Sequence, residues 1–148
     1  QQPWADAVGG RTGYALVEPR LERGPLVFMA GFERLGAGSG RAFQTPLATL
    51  YVFNGWADKF TTTPINGLED RYVSAQGGFT VAGKAAAWQV MGHDFQSDGG
   101  ADYGREWDAS LALTLRPGLV ALAKVADFHS DGFARDTTKL WLQLEWAL

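Results

Sequence analysis

The sequence predicts an all-β fold in which antiparallel strands follow one another in an up-and-down order, and three observations support this prediction. Apolar and polar residues alternate over several stretches of about ten residues, which is the period of a β-strand. Turn signals rich in Gly, Pro and Asp separate these stretches. The composition, with 19 Gly, 6 Trp and 13% aromatic residues, suits a β-protein with many turns better than a helical one.

The first two strands form a predicted hairpin. Charged residues alternate with apolar ones over residues 14–22, and an Arg-Gly-Pro turn signal follows at 23–25. Residues 26–34 then run back, with Phe28 and Phe32 on an apolar side and Glu33 on the other side. The two stretches therefore read as neighbouring antiparallel strands.

The range 36–67 loses this periodicity, because Gly, Ser, Thr, Asn and Pro interrupt every alternating run. A stretch of this length without regular structure is unusual in a compact domain and usually serves a function. We expect one long loop here, within a single domain that spans residues 1–148.

Further alternating stretches follow this loop at close spacing, and each is a predicted strand. They cover residues 70–79, 85–95, 106–115, 119–128 and 137–148. Short links at 80–83 and 116–118 alternate with longer Asp/Gly loops at 96–104 and 129–136. Strands of about ten residues with tight turns at one end and long polar loops at the other are typical of an outer-membrane β-barrel.

Alternation alone also fits a soluble or designed β-barrel that binds a small apolar ligand, because such a barrel turns its apolar side inward. The two alternatives assign opposite faces to the same residues. The last strand separates them most clearly: the membrane alternative puts Leu140, Leu142 and Leu144 outside and Lys139 inside. Trp107, on the same parity as the apolar residues, is placed like an aromatic at a membrane interface.

Three stretches resemble the alginate-export family of outer-membrane barrels: AFQTPLATLYVFNGWADKF (42–60), GHDFQSDGGADYGREWD (92–108) and DGFARDTTKLWLQL (131–144). Their order and spacing are similar to the C-terminal portion of that family. The resemblance implies an antiparallel transmembrane β-barrel in a bacterial outer membrane. It also implies a charged lumen that passes an anionic polysaccharide or small polar solutes. If the last strand ends in the periplasm, the short links are periplasmic turns, and the long loop and both Asp/Gly loops are extracellular.

The predicted strand number leaves the closure of the barrel open. The chain supplies roughly seven strands, whereas a single-chain bacterial barrel normally has an even number of at least eight. We therefore expect a barrel of about eight strands or the C-terminal part of a larger one. Closure would come from part of the long loop, from N-terminal strands that this chain lacks, or from self-association, since an open edge is unstable in lipid.

Charged and amide residues share the polar parity of the strands, and we refer to them as the predicted lumen residues. They are Glu18, Arg20, Glu33, His93, Glu106, Asp108, Lys124, Lys139, Gln143 and Glu145. Such rings of charge can select the solutes that pass a channel. The alternative is a plugged, non-conducting structural barrel, in which Lys124 and Lys139 pair with Glu106, Asp108 and Glu145, because a narrow barrel is filled by its side chains.

Several other functions find little support in the sequence. A net charge of -3 offers no basic surface for nucleic acid, and the absence of Cys excludes thiolate chemistry. His93-Asp94 could serve acid-base catalysis, but no nucleophile motif frames Ser97, Ser110 or Ser130, so we do not expect an enzyme. The loops at 97–104 and 129–136 carry carboxylates that Ca²⁺ could take as ligands, but without EF-hand spacing, so turn chemistry accounts for them equally well and we expect no cofactor.

Overall fold

A computed structural model describes residues 12–44 and 54–147 of the chain. Within these two ranges it contains ten β-strands and no α-helix, and hence no helix that is long and apolar enough to cross a membrane. The strands are β1 (Tyr14–Val17), β2 (Arg20–Arg23), β3 (Leu26–Leu35), β4 (Ala37–Gly38), β5 (Arg41–Ala42), β6 (Leu68–Val81), β7 (Lys84–Gln96), β8 (Asp102–Arg116), β9 (Leu119–Ser130) and β10 (Thr137–Trp146).

One antiparallel sheet contains all of these strands except β4 and β5, which form a small hairpin of their own. The strands lie in the order β1-β3-β6-β7-β8-β9-β10, and β2 pairs with β3 beside β1. The prediction of an all-β antiparallel fold with sequential neighbours is therefore confirmed.

The first predicted strand, residues 14–22, is divided into β1 and β2. Pro19 lies between them and has no N–H to donate to the ladder, so the pairing is interrupted there. Its carbonyl still accepts a hydrogen bond from the Ala30 N–H at 3.1 Å, which keeps both pieces beside β3.

The strands from β6 to β10 match the predicted ones and are mostly a few residues longer. The link between β6 and β7 shrinks to Ala82 and Gly83, whose φ angles of 49° and 72° are both positive. Two such residues form the hairpin turn whose twist fits that of the flanking strands. The turn between β8 and β9 is of a different type, because Pro117 cannot adopt a positive φ and only Gly118, with φ 75°, does so.

The sheet is open, with β1 and β2 at one edge and β10 at the other, and no strand within the described ranges joins the two edges. Each neighbouring pair is antiparallel, so the first and last of the seven positions in the sheet run in the same direction. A barrel closed by antiparallel pairs alone would therefore need at least one more strand between these edges. Closure into a barrel stays a prediction.

The two faces of the sheet have opposite polarity. Glu106, Asp108 and His93 lie on what we name the inner face, and each is buried, Glu106 completely. The opposite, outer face carries exposed apolar side chains, among them Trp107 (64% exposed) and Leu142 (77% exposed). The faces thus follow the parity that the sequence indicated.

Part of the predicted long loop lies against the inner face. Residues 54–60, which we name the inner segment, run beneath the loop ends of β7, β8 and β9 and place Trp56, Ala57 and Phe60 in the core. These pack with Phe95 and Phe128, both of which are fully buried. The earlier part of the loop contains the β4-β5 hairpin, and residues 45–53 lie outside the described residues.

Candidate functional site

The backbone of the inner segment is held by two carboxylates of β8. The Ala57 N–H donates to Glu106 Oε1 at 2.6 Å, and the Trp56 N–H donates to Asp108 Oδ2 at 3.3 Å. Gly55 makes this approach feasible, because it has a φ of +83° and a Cβ there would lie 2.6 Å from Glu106 Oε2. Only glycine adopts such a backbone without strain and leaves this space free.

Side chains of the inner segment add contacts to the last strand. Asp58 Oδ2 lies 2.7 Å from Lys139 Nζ, and Lys59 Nζ donates to Thr137 Oγ1 at 2.6 Å. Phe60 stacks on Phe133 with ring centroids 5.2 Å apart. Backbone, ionic and aromatic contacts therefore tie this segment to β8, to β10 and to the loop between β9 and β10.

His93 lies at the centre of a buried group of carboxyl side chains. Its Nδ1 is 3.0 Å from both oxygens of Asp70, and its Nε2 is 3.7 Å from Asp108 Oδ2. The imidazole also stacks on Phe95 at a centroid distance of 5.3 Å. Buried polar groups are normally paired in this way, because an unpaired one loses its hydration without replacement.

A cavity of about 630 Å³ adjoins this group on the inner face. Its lining includes Glu18, Glu33, Asp70, Tyr72, His93, Trp56 and Lys124. The Tyr72 hydroxyl donates to Glu18, and the Tyr14 hydroxyl donates to Glu33 at 3.0 Å. Two carboxyl groups at the wall of the cavity are thus oriented by phenol donors from β1 and β6.

Lys124 places its ammonium group against two aromatic rings at the edge of the cavity. Nζ lies 4.1 Å from the ring centroid of Trp56 and 5.4 Å from that of Trp141. A cation over the face of an indole is attracted by the ring quadrupole. The rings therefore show that an ammonium group fits on this part of the inner face.

The structure brings seven of the ten predicted lumen residues to the cavity or to the inner segment. Glu18, Glu33, His93 and Lys124 line the cavity, and Glu106, Asp108 and Lys139 contact the inner segment. Three others lie elsewhere on the sheet. Arg20 pairs with Glu22 at the open edge, and Gln143 and Glu145 are exposed on β10.

The cavity is also lined by four residues that are not among the predicted lumen residues: Asp70, Tyr72, Asn54 and Trp56. Asp70 and Tyr72 share the polar parity of their strand with Ser74 and Gln76, so that pattern could have revealed them. Asn54 and Trp56 lie in a stretch without periodicity, which gives no signal of its own.

The ion pairs of the inner face also differ from the expected cross-strand set. Lys139 pairs with Asp58 of the inner segment, whereas the expectation was a carboxylate on a neighbouring strand. The reason is that the inner segment, which is remote from Lys139 in the sequence, contacts it in the fold. No sequence pattern near Lys139 predicts such a partner.

The Asp/Gly loops use their carboxylates for internal hydrogen bonds. Asp98 accepts from Arg34 Nε at 2.5 Å and from the Ala37 N–H at 2.9 Å, and these contacts hold the pKa of Asp98 below its usual range. Asp136 accepts from the Ser130 N–H at 2.8 Å. Over residues 12–44 and 54–147, no cluster of three or more His, Asp or Glu residues has an arrangement that could hold a metal ion.

Comparison with known proteins finds no matching family model, no matching curated protein and no matching solved structure. The resemblance to the alginate-export family therefore stays a prediction.

Proposed function

We propose that this chain forms the wall of an outer-membrane β-barrel channel that passes small polar solutes. The observation that carries the proposal is the inverted polarity of the sheet, whose charged face is partly covered by the inner segment while its leucine-rich face is exposed. Leu140, Leu142 and Leu144 are 69%, 77% and 71% exposed. A soluble barrel that binds an apolar ligand would need these leucines inside.

A lipid bilayer accounts for the exposed apolar face. Soluble monomers rarely expose contiguous apolar patches larger than a few hundred Å². Here exposed apolar residues occur on both edge strands and on central strands, with Val17, Val73 and Leu111 as further examples. Acyl chains would remove this surface from water. Strand β3 and strands β6 to β10, with 10 to 15 residues each, are long enough to span a bilayer, which requires about 9–11 residues.

The cavity supports a route for solutes within that wall. The inner segment covers part of the inner face and leaves about 630 Å³ open beside it. Carboxylate, amide, phenol and ammonium groups line this space, so that a polar solute would find hydrogen-bond partners there.

The membrane part of the proposal is tested with adjacent single-cysteine variants, since the chain has no cysteine of its own. Leu142→Cys and Gln143→Cys, each carrying a polarity-sensitive fluorophore, are refolded in phospholipid vesicles. We expect nitroxide-labelled acyl chains to quench the label at position 142 and to leave the label at position 143 bright. Equal quenching at both positions, quenching at 143 only, or failure to bind vesicles would overturn the proposal.

The channel part is tested by adding the refolded protein to planar bilayers in potassium chloride. Discrete conductance steps are the expected result. Insertion into the bilayer without conductance would contradict the proposed channel function. It would favour a structural role for a non-conducting barrel.

A further inference from the structure

We propose that the outer face binds an anionic membrane lipid through its phosphate group, near the loop ends of β6, β7 and β8. The phosphate would lie on two arginines, and an acyl chain would lie in an apolar groove beside them. This inference rests on the membrane part of the proposed function and adds a specific lipid contact to it. It does not depend on whether the barrel conducts.

Charged side chains of three neighbouring strands form a row across the outer face. The register pairs Arg71 of β6 with Asp94 of β7, and Asp94 with Arg105 of β8. All three residues lie near the loop ends of their strands. We name them the outer charged row. The row separates the exposed apolar part of the outer face from the long loops.

Both arginines of the outer charged row keep hydrogen-bond donors available. Arg105 Nε lies 3.2 Å from Asp94 Oδ1, and Arg71 Nη1 lies 4.0 Å from Asp94 Oδ2. Arg71 Nη2 also contacts Glu69 at 3.1 Å. The side chains of Arg71 and Arg105 are 50% and 72% exposed, and ion pairs between such exposed groups are weak. A guanidinium group has five N–H donors, so each arginine can bind a phosphate oxygen and keep its carboxylate contact.

An apolar groove of about 530 Å³ adjoins the outer charged row, and we name it the outer groove. The next row of outward-facing residues toward the middle of the strands lines it and consists of Ala30, Val73, Gly92 and Trp107. Gly92 provides space for the Trp107 ring, because a Cβ there would lie 2.8 Å from Trp107 Cζ3. Small residues beside an exposed indole therefore produce a groove with an aromatic border.

The combination of arginines and apolar groove fits a phosphate-bearing lipid. A free phosphate would bind the arginines and leave the groove unoccupied, whereas a lipid uses both. An indole beside a headgroup also has the usual position of an interfacial tryptophan. Because basic residues at a membrane surface attract anionic lipids, we expect the outer groove to prefer an anionic lipid over a zwitterionic one about fivefold.

A second apolar groove on the same sheet provides an internal comparison. Leu111, Ala123 and Leu142 are among the residues that line it, and the part of the chain that the structure describes places no charged side chain in its lining. A lipid headgroup would find no cationic partner there. We therefore expect no headgroup preference at this second groove.

The first experiment compares two lipids at the two grooves. Val90→Cys lies on the outer face of β7, two residues from Gly92, and Leu142→Cys lies in the second groove. Each variant carries a fluorophore and is refolded in phosphatidylcholine vesicles that contain a trace of nitroxide-labelled phosphatidic acid or nitroxide-labelled phosphatidylcholine. The two probes have the same labelled acyl chain. We expect phosphatidic acid to be enriched about fivefold over phosphatidylcholine at position 90 and not at position 142.

Substitutions in the outer charged row should change this preference in opposite directions. Arg71→Gln and Arg105→Gln should each lower it. Asp94→Asn should raise it, because Asp94 competes with the phosphate for both arginines. Arg135→Gln, an exposed arginine in the loop between β9 and β10, is the control and should leave the preference unchanged.

Potassium chloride at high concentration tests the same contact without a substitution, because salt screens interactions between exposed charges. We expect it to reduce the preference at position 90. An equal preference at positions 90 and 142, or a preference at position 90 that persists when both arginines are replaced, would overturn the inference.

The second experiment does not need a bilayer and measures binding in non-ionic detergent micelles by titration calorimetry. The probes are dihexanoyl phosphatidic acid, dihexanoyl phosphatidylcholine and inorganic phosphate. We expect phosphatidic acid to bind most tightly, and Arg105→Gln to weaken its binding about fivefold. Inorganic phosphate bound as tightly as phosphatidic acid would show that the groove contributes nothing and would overturn the lipid site.

The experiments distinguish failure of this inference from failure of the proposed function. Quenching of both labels with no headgroup preference would refute the lipid site and retain the membrane-spanning barrel. A headgroup preference at position 90 without conductance would refute the channel and retain the lipid site. Quenching of neither label by either lipid would refute membrane insertion, and the lipid site with it.

Discussion

Strands β8 and β10 alternate in the same way along the sequence, yet their inner faces have different environments. On β8, Glu106 and Asp108 are buried beneath the inner segment and accept its backbone N–H groups. On β10, Gln143 and Glu145 lie on the same face and stay exposed. The comparison shows that the alternation of a strand predicts which face each side chain lies on. Whether the side chain is buried depends on which other part of the chain covers that face.

The largest expected effect of a substitution lies in the covered region. Phe128 is fully buried against Phe60 and Phe95, so Phe128→Ala should lower the free energy of unfolding by about 3–5 kcal/mol. Urea titration in detergent micelles, followed by tryptophan fluorescence, measures this. Gln143→Ala, on the uncovered part of β10, is the control and should change stability by no more than about 0.5 kcal/mol. Equal effects would contradict the comparison.

The second prediction compares one residue type in the two regions. Glu106→Ala leaves the buried Ala57 N–H without its acceptor and should cost about 1–3 kcal/mol of unfolding free energy. Glu145→Ala removes the same group from an exposed position and should have an effect within about 0.5 kcal/mol. The same urea titration applies, and a cost for Glu145→Ala as large as that for Glu106→Ala would refute the covering role of the inner segment.

A third prediction concerns the ion pair that connects the inner segment to β10. Lys139→Gln removes the partner of Asp58, and we expect a loss of no more than about 1 kcal/mol, because both side chains are partly exposed. The more sensitive measurement is the conductance of the proposed channel, which should rise because the inner segment is held less firmly against the inner face. Thr138→Ala, a change at the next residue on the outer face, serves as the control. Unchanged conductance would show that this pair does not restrict the cavity.

The smallest effect is expected from the loop pair of Asp98 and Arg34. The folded-state pKa of Asp98 is lowered, so its stabilising contribution is present above the unfolded pKa and disappears as the pH falls through the folded value. The unfolding free energy of Asp98→Asn should therefore fall less steeply with acidification than that of the unsubstituted protein. In the neutral range the two free energies should vary with pH in parallel. Unfolding measured between neutral pH and about pH 3 tests this, since an unperturbed Asp titrates near 3.9. An unaltered acid limb would exclude Asp98 as its source.

Much of the fold was predictable from the sequence because its signals are local. Period-two alternation located the strands from β6 to β10, and Gly118 marks a turn that requires a positive φ. The division at Pro19 was less evident, because a proline is tolerated at a sheet edge and only the pairing with β3 shows where the ladder stops. Closure of the sheet needs a partner edge and is not a local property.

The sequence by itself determined the strand order and the polarity of the two faces, because successive side chains of any β-strand point to opposite sides. The tertiary structure alone decided which inner-face residues form a site. Asp58 and Lys139 are 81 positions apart, and Asp70 and His93 are 23 positions apart. Contacts at such separations depend on how the tertiary fold brings distant parts of the chain together. Residues 54–60 have no periodic pattern that would predict their position against the inner face.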